Sequence, residues 1–152
     1  MILEPAGLED FEAVNALACQ VNDLHAQWRP DLYVHNPQPI SMEAYGELLE
    51  QQLVFVLRSE GKVAAYVMVG YLSISGPGLV SRRILKLDQI CVDDACRRQG
   101  FGKRIFQALR ELAKAQGCTD LQLTCDPHNK AAIAFYEGQG MDVKCIQYHL
   151  KV

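Results

Sequence analysis

Residues 87–117, "LDQICVDDACRRQGFGKRIFQALRELAKAQG", pass from strand to helix through a corner of fixed chemistry, and that passage constrains the fold more than any other stretch. "ILKLDQICV" is β-rich. From Phe101 the apolar residues Phe101, Ile105, Leu109, Leu112 and Ala113 recur at helical spacing on one face, and Gly117 is placed to end the helix. Such a helix has to lay its apolar stripe on a sheet, so the chain belongs with the mixed α/β or α+β folds.

The corner holds Arg97, Arg98, Lys103, Gly100 and Gly102. The first N–H groups of a helix lack intrahelical partners and carry partial positive charge, so they attract anions. Glycine permits positive φ and close approach to the backbone, and arginine adds charge-assisted bonds to phosphate oxygens. Two phosphate motifs fail here. GxxxxGK[ST] fails because Arg104 follows Gly102-Lys103, and GxGxxG fails because Ile105 stands in its third glycine place. What fits is R-x-x-G-x-G on Arg97, Gly100 and Gly102. The spacing by itself leaves open a solvated turn.

The parity of the preceding strand adds a second constraint. Leu85 and Leu87 are apolar at odd positions, whereas Ile90 and Val92 are apolar at even ones. Strand side chains alternate faces, so the phase slips near Asp88 and Gln89, as a β-bulge would make it, unless the strand is buried on both faces and parity means little.

Around this core the order reads as a strand in "MILEP", a helix from Leu8 that breaks at "WRPD", and a second helix capped by Ser41 that runs to about Gln51. Two strands follow around the hairpin "SEGK", then the strand and helix above. "LQLTC" reads as a strand, "NKAAIAFYEGQG" as a short helix, and "DVKCIQYHLKV" as one or two final strands. With 152 residues, 49% of them apolar, a single domain spanning 1–152 is expected. Net charge of −3 argues against nucleic-acid binding. No apolar run is long enough for a membrane span, and "MILEPAGLED" is acidic where a basic leader would sit. The six cysteines form no CxxC pair and read as thiols in a reducing, cytoplasmic setting. The four histidines show no metal-ligand spacing, so no metal is expected.

Downstream, "CDPHNKAAIAFYEGQGM" carries N-x-x-A-x-x-F-Y-x-x-x-G on Asn129, Ala132, Phe135, Tyr136 and Gly140. Together with R-x-x-G-x-G in this order and spacing, the chain resembles the GNAT superfamily of acyl-CoA-dependent N-acyltransferases. Met141 departs from the phenylalanine often found there. The resemblance implies a mixed, mostly antiparallel sheet flanked by about four helices, with a bulged, splayed strand before the CoA loop. It implies acetyl-CoA as co-substrate and an amine acceptor, a small molecule or a peptide.

By the same resemblance, Arg97, Arg98, Gln99, Gly100, Phe101, Gly102 and Lys103 would hold the CoA pyrophosphate. Ile90, Cys91 and Val92 would face the pantetheine arm, with the Val92 N–H as oxyanion donor. Asn129 and Ala132 would hold the same arm, and Tyr136 would protonate the leaving thiolate. Asp88 is the candidate base, with an ordinary bulge carboxylate as its alternative. Ribosomal-type N-terminal acetyltransferases carry a glutamate on the next strand, where Thr124 stands here. The acceptor site would form from the first two helices and their loop, with Trp28, Tyr33 and Tyr45 as lining, Asp23, Asp31 and Glu47 to attract a cation, and His25 to assist as base. The alternative is a non-catalytic CoA-binding domain on the same fold. A homodimer through the final strand is open to such a chain.

Overall fold

A computed structural model describes residues 3–152. Five strands form one sheet in sequence order: β1 (Leu3–Pro5), β2 (Val54–Ser59), β3 (Lys62–Ile74), β4 (Arg82–Val92) and β5 (Asp120–Leu123). Neighbours run antiparallel except β4 and β5, which are parallel. The helices are α1 (Phe11–Trp28), α2 (Met42–Glu50), α3 (Phe101–Ala115) and α4 (Lys130–Gly138). This is the mixed, mostly antiparallel sheet with about four helices that the family resemblance implies. The strand expected over 1–5 is described from Leu3, since Met1 and Ile2 lie outside the described residues.

Local chemistry accounts for most boundaries. The β2–β3 hairpin turns on Glu60 and Gly61, both at positive φ (51° and 78°), the conformation of a two-residue I′ turn. The hydroxyl of Ser41 accepts from the Ala44 N–H at 3.1 Å and caps α2. α1 stops at Trp28, because Pro30 pushes Arg29 out of the helical region.

The sheet is covered on both faces. On one side α3 and α4 pack over Ala65, Val67, Val69, Leu85 and Leu87, with Ile105, Phe106 and Leu109 at the centre. On the other, α1 and α2 bury Phe11, Val14, Leu17 and Tyr45 against Val54, Val56, Tyr66 and Met68. Asp10 is buried at the margin of that second layer. It accepts from Arg58 Nη2 at 2.9 Å and from the Gly7 N–H at 3.0 Å, so its charge is both paired and hydrogen-bonded.

The expected bulge lies at Asp88. In the β3–β4 ladder Met68 faces Gln89 and Val69 faces Leu87, so Asp88 has no partner. The consequence is visible in packing. Leu85 and Leu87 belong to the α3–α4 layer, Cys91 to the α1–α2 layer, and Ile90 and Val92 return to the α3–α4 side. The strand is also splayed. β5 pairs with β4 only from Ile84 to Leu87, leaving Gln89–Val92 without a neighbour on that side.

One expectation is corrected. Residues 142–152 form no strand and are exposed throughout. Their sequence has strand periodicity, but a strand exists only where a neighbour takes up its backbone groups, and no backbone hydrogen bond reaches them from any described residue.

Candidate active site

The splay of β4 sets the orientation of its free backbone. The Asp93 N–H donates to the Ala64 carbonyl at 2.9 Å, so residue 93 points toward β3. Along a strand these directions alternate, and the N–H and C=O groups of Ile90 and Val92 therefore point away from β3, into the gap that β5 leaves open. Arg97 Nε reaches the Val92 carbonyl at 3.4 Å on that side.

The gap leads to the start of α3. Gly100 caps this helix at φ 82°, a left-handed conformation natural to glycine, and no side chain bonds the first-turn N–H groups. The first turn carries no acidic residue. Arg98 also sits at positive φ, 60°. Arg98, Gln99 and Lys103 are exposed around this turn, and Arg97 Nη2 lies 2.5 Å from Asp94 Oδ1. Phe101 gives only its backbone to the corner, because its ring is buried in the α3–α4 core. Gly102 serves packing: a Cβ there would stand 3.2 Å from Phe135 Cζ.

A cavity of about 140 Å³ opens beside the gap, lined by Ile90, Cys91, Val92, Arg97 and Asn129 from the corner side, and by Val21, Leu24, His25 and Trp28 of α1. Five residues read from sequence as one binding set thus meet in one place. Val21 and Leu24 were hidden within the apolar stripe of α1, which carries the same signal as core. Burial pushes the Cys91 thiol up to about 12, so it stays protonated. Asn129 uses its side-chain oxygen to cap α4, accepting from the Ala132 N–H at 3.1 Å, which also occupies the Ala132 donor.

Tyr136 does not line this cavity. It packs among Phe106 and Phe135, with ring centroids at 5.9 and 5.6 Å. Burial, with the Cys125 thiol beside it, pushes its hydroxyl up to about 12. Asp88 also stands outside the cavity, with Lys86 Nζ at 2.9 Å from its carboxylate. Its Oδ2 would be 3.0 Å from a Cβ on Gly70. Gly70 shares the face of Tyr66 and Met68, so the bulge aims Asp88 toward the α1–α2 side.

The acceptor-side residues divide. His25 lies 5.9 Å from the Trp28 ring and 5.0 Å from the Tyr33 ring. Asp23 and Asp94 line a neighbouring cavity with Arg97. Asp31 is occupied by Arg29, whose hydrogen bonds hold its carboxyl down at about 2. Glu47 is exposed on α2. Tyr45, expected as pocket lining, is instead fully buried and donates its hydroxyl to the Gly7 carbonyl at 3.0 Å. Among the described residues no cluster of metal-ligating side chains occurs, and no helix is long and apolar enough to cross a membrane.

Several similar proteins are named as acetyltransferases. A human protein named N-acetyltransferase 8 is 34% identical over 86 residues, 57% of this chain and 37% of its own length. Glucosamine 6-phosphate N-acetyltransferase from Arabidopsis thaliana is 28% identical over 115 residues, 70% of this chain and 67% of its own. The chain thus spans little more than a third of the human relative, and 30% of a chloroplastic GCN5-related N-acetyltransferase 4 from the same plant. Among solved structures, a mutant of the BH1408 protein from Bacillus halodurans superposes with a TM-score of 0.95 at 26% identity, covering 100% of this chain and 99% of that one. Aminoglycoside N-acetyltransferase AAC(6')-Iy, solved with CoA, shares the fold with a TM-score of 0.69 at 16% identity over 99% of each chain. Residues 19–141 match the model of the acetyltransferase (GNAT) family, and the chain belongs to that family.

Proposed function

We propose that this acetyltransferase uses acetyl-CoA and acetylates a primary amine of a small molecule or peptide, by direct attack through a tetrahedral intermediate. One observation carries the reading: the bulge at Asp88 leaves Ile90 and Val92 without a strand partner on the β5 side, in a gap beside the uncapped N-terminus of α3. A pantetheine arm needs a row of backbone donors and acceptors, and a pyrophosphate needs free N–H groups with cationic neighbours. The two lie end to end here. Arg97, Arg98 and Lys103 add charge, and the backbone of Gln99 to Gly102 approaches the phosphates.

The acceptor enters from the α1 side, past His25 and Trp28, into the cavity that Val92 lines. Asp88, which stands outside the cavity beside Lys86, takes a proton from the ammonium through intervening water, which frees the lone pair. The nitrogen attacks the acetyl carbonyl, and the Val92 N–H stabilises the oxyanion. Collapse breaks the C–S bond and releases the CoA thiolate, while the nitrogen, cationic after its attack, gives its extra proton to water and leaves a neutral amide.

The raised value for Tyr136 refines its part. A thiol near 8.5 is a stronger acid than a phenol near 12, so full proton transfer to the sulfur is uphill by roughly 5 kcal/mol. Tyr136 therefore acts as a hydrogen-bond donor to the developing thiolate and keeps its proton. Its hydroxyl stays protonated at every working pH. The six free thiols suit a reducing compartment such as the cytoplasm.

The test is calorimetric titration with acetyl-CoA of the wild type and of an Arg97→Ala, Gly100→Ala double variant. Micromolar-range binding that is lost in the variant supports the reading, and an amine panel follows. Absence of binding in folded, ligand-free wild type overturns it. Binding without turnover on any amine favours a non-catalytic CoA-binding domain.

A further inference from the structure

Two faces of α1 open onto two cavities. Val21, Leu24, His25 and Trp28 line the first, beside β4. Gln20, Asp23, Leu24 and Gln27 line a second, of about 250 Å³, and Asp94 and Arg97 face them across it. Each set has the i, i+3, i+4, i+7 spacing of one helix face. Leu24 and Arg97 belong to both linings, so the two cavities meet at these side chains.

The cavities differ in charge. No carboxylate lines the first. The second has two carboxylates, Asp23 and Asp94, against one guanidinium. Arg97 Nη2 lies 2.5 Å from Asp94 Oδ1 and offsets that carboxylate. Asp23 is then the excess negative charge of the lining. His35 Nδ1 meets Asp23 Oδ1 at 2.7 Å, but His35 is exposed on the α1–α2 loop and lines neither cavity.

Gln20 supplies an independent sign of a ligand. Its Oε1 is buried and has no hydrogen-bond partner among the described residues. A buried oxygen is normally paired, and leaving it unpaired is costly. Gln20 and Asp23 are neighbours on one turn of α1. An unpaired oxygen beside an excess carboxylate calls for a group that is cationic and donates several hydrogen bonds, which is an ammonium. A carboxylate or phosphate group would face Asp23 and Asp94, and a hydroxyl would leave the charge of Asp23 without a counter-ion.

We infer that the acceptor is an aliphatic diamine. The amine that is acetylated lies in the first cavity beside Val92, its methylene spacer crosses Leu24, and the distal ammonium sits in the second cavity at Asp23 and Gln20. This rests on the acetyl-transfer reading above and names the class of amine for it.

The test compares kcat/KM, at saturating acetyl-CoA, for putrescine and cadaverine with butylamine, pentylamine and the ω-amino acids of equal carbon length. The diamines are expected to exceed the monoamines by at least about tenfold, through KM, and the amino acids to fall below the monoamines. In Asp23→Asn the ratio of diamine to monoamine collapses toward unity. His35→Ala removes the same loop contact but keeps the carboxylate, and it retains the preference. Trp28 is the single tryptophan of the chain, so its fluorescence follows binding of cadaverine and pentylamine to the CoA complex even where turnover is slow. Monoamines used and bound as well as diamines overturn the inference. So does an equal collapse in both variants, which would make Asp23 an anchor for the loop. If acetyl-CoA binds but cadaverine neither reacts nor changes the fluorescence, the inference fails alone. If folded wild type does not bind acetyl-CoA, the acetyl-transfer reading fails and the inference falls with it.

Discussion

Phe135 of α4 lies against the bare α-carbon of Gly102 in α3, and a Cβ at residue 102 would come within 3.2 Å of Cζ and 3.3 Å of Cε2 of the ring. Gly102 belongs to the arginine–glycine motif and Phe135 to the asparagine–tyrosine motif, so the two motifs are fitted to each other. The ring has little room to yield, because Phe106 and Tyr136 stand edge-on or tilted at 5.7 and 5.6 Å. This contact sets how close α4, and with it Tyr136, sits to the start of α3.

Gly102→Ala is therefore expected to destabilise the protein, despite alanine's better helix propensity. Overpacking costs about 1–3 kcal/mol, against a propensity gain of up to about 1 kcal/mol. In a Phe135→Leu background the clash is relieved and the same change becomes neutral or stabilising. A denaturation double-mutant cycle reads the coupling. Equal effects of Gly102→Ala in both backgrounds would show that the two residues are not fitted.

Gly100 fails for a different reason when changed. A Cβ there meets nothing within 4 Å, but φ is 82°. Gly100→Ala is expected to cost about 1–2 kcal/mol of local strain and to turn the first N–H groups of α3 away from an anion. Acetyl-CoA affinity should fall at least about tenfold, with affinity for dephospho-acyl fragments such as acetyl-pantetheine less affected. Calorimetry with both ligands checks this. An equal loss for both would place the pyrophosphate elsewhere.

The parity of β4 made the bulge readable, because apolar residues on a covered strand must follow its faces, and the switch between Leu87 and Ile90 has few other causes. The cap at Ser41 and the stop at Pro30 are equally local. What was not readable depended on tertiary placement. Tyr45 has the composition of a pocket residue, but packing against Phe11 at 5.3 Å puts it in the core. Asn129 reads as a ligand donor, yet its side-chain oxygen already caps α4. Residues 142–152 have a strand's pattern, but whether a strand forms depends on a neighbour that its own sequence does not specify.

Stability should fall on the alkaline side. The folded state holds the Cys91 thiol and the Tyr136 hydroxyl at about 12, both raised by burial. A group whose folded pKa is raised binds its proton more tightly when folded. Its contribution is complete below the unfolded pKa and lost as pH rises through the folded one. For Cys91 the decline starts near pH 8.5–9 and for Tyr136 near pH 10, and each continues to about 12. The full losses are about 4 and 3 kcal/mol. Urea denaturation at neutral pH and at about pH 10 tests the sign. Cys91→Ala should remove the earlier part of the decline. A protein equally stable at both pH values would contradict the assignment.

Arg58 is the partner that makes buried Asp10 tolerable, with Nη2 within 2.8 Å of Oδ1. Arg58→Ala would leave Asp10 with the Gly7 N–H and no cation. The expected loss is about 3–5 kcal/mol. The same substitution with Asp10→Asn should recover part of it, because the neutral amide needs no counter-ion. Thermal unfolding of the single and double variants distinguishes this from simple loss of arginine packing, which the second substitution would not repair.

The roles of Tyr136 and Asp88 separate by what each variant leaves intact. Tyr136→Phe removes one donor and no volume of consequence, so acetyl-CoA affinity should hold while kcat falls by about 10²-fold. Because burial keeps the hydroxyl protonated up to about 12, the wild-type rate should show no decline from Tyr136 between about pH 8 and pH 10. Asp88→Asn keeps the bulge and the fold but removes the acceptor of the ammonium proton. Its kcat should fall by about 10²–10⁴-fold, and the loss should shrink as rising pH deprotonates the free amine. His25→Gln, on the wall of the cavity, should act mainly on KM for the amine. If His25→Gln instead produces the pH-dependent loss and Asp88→Asn does not, the proton leaves through α1, and Asp88 is a bulge carboxylate held by Lys86.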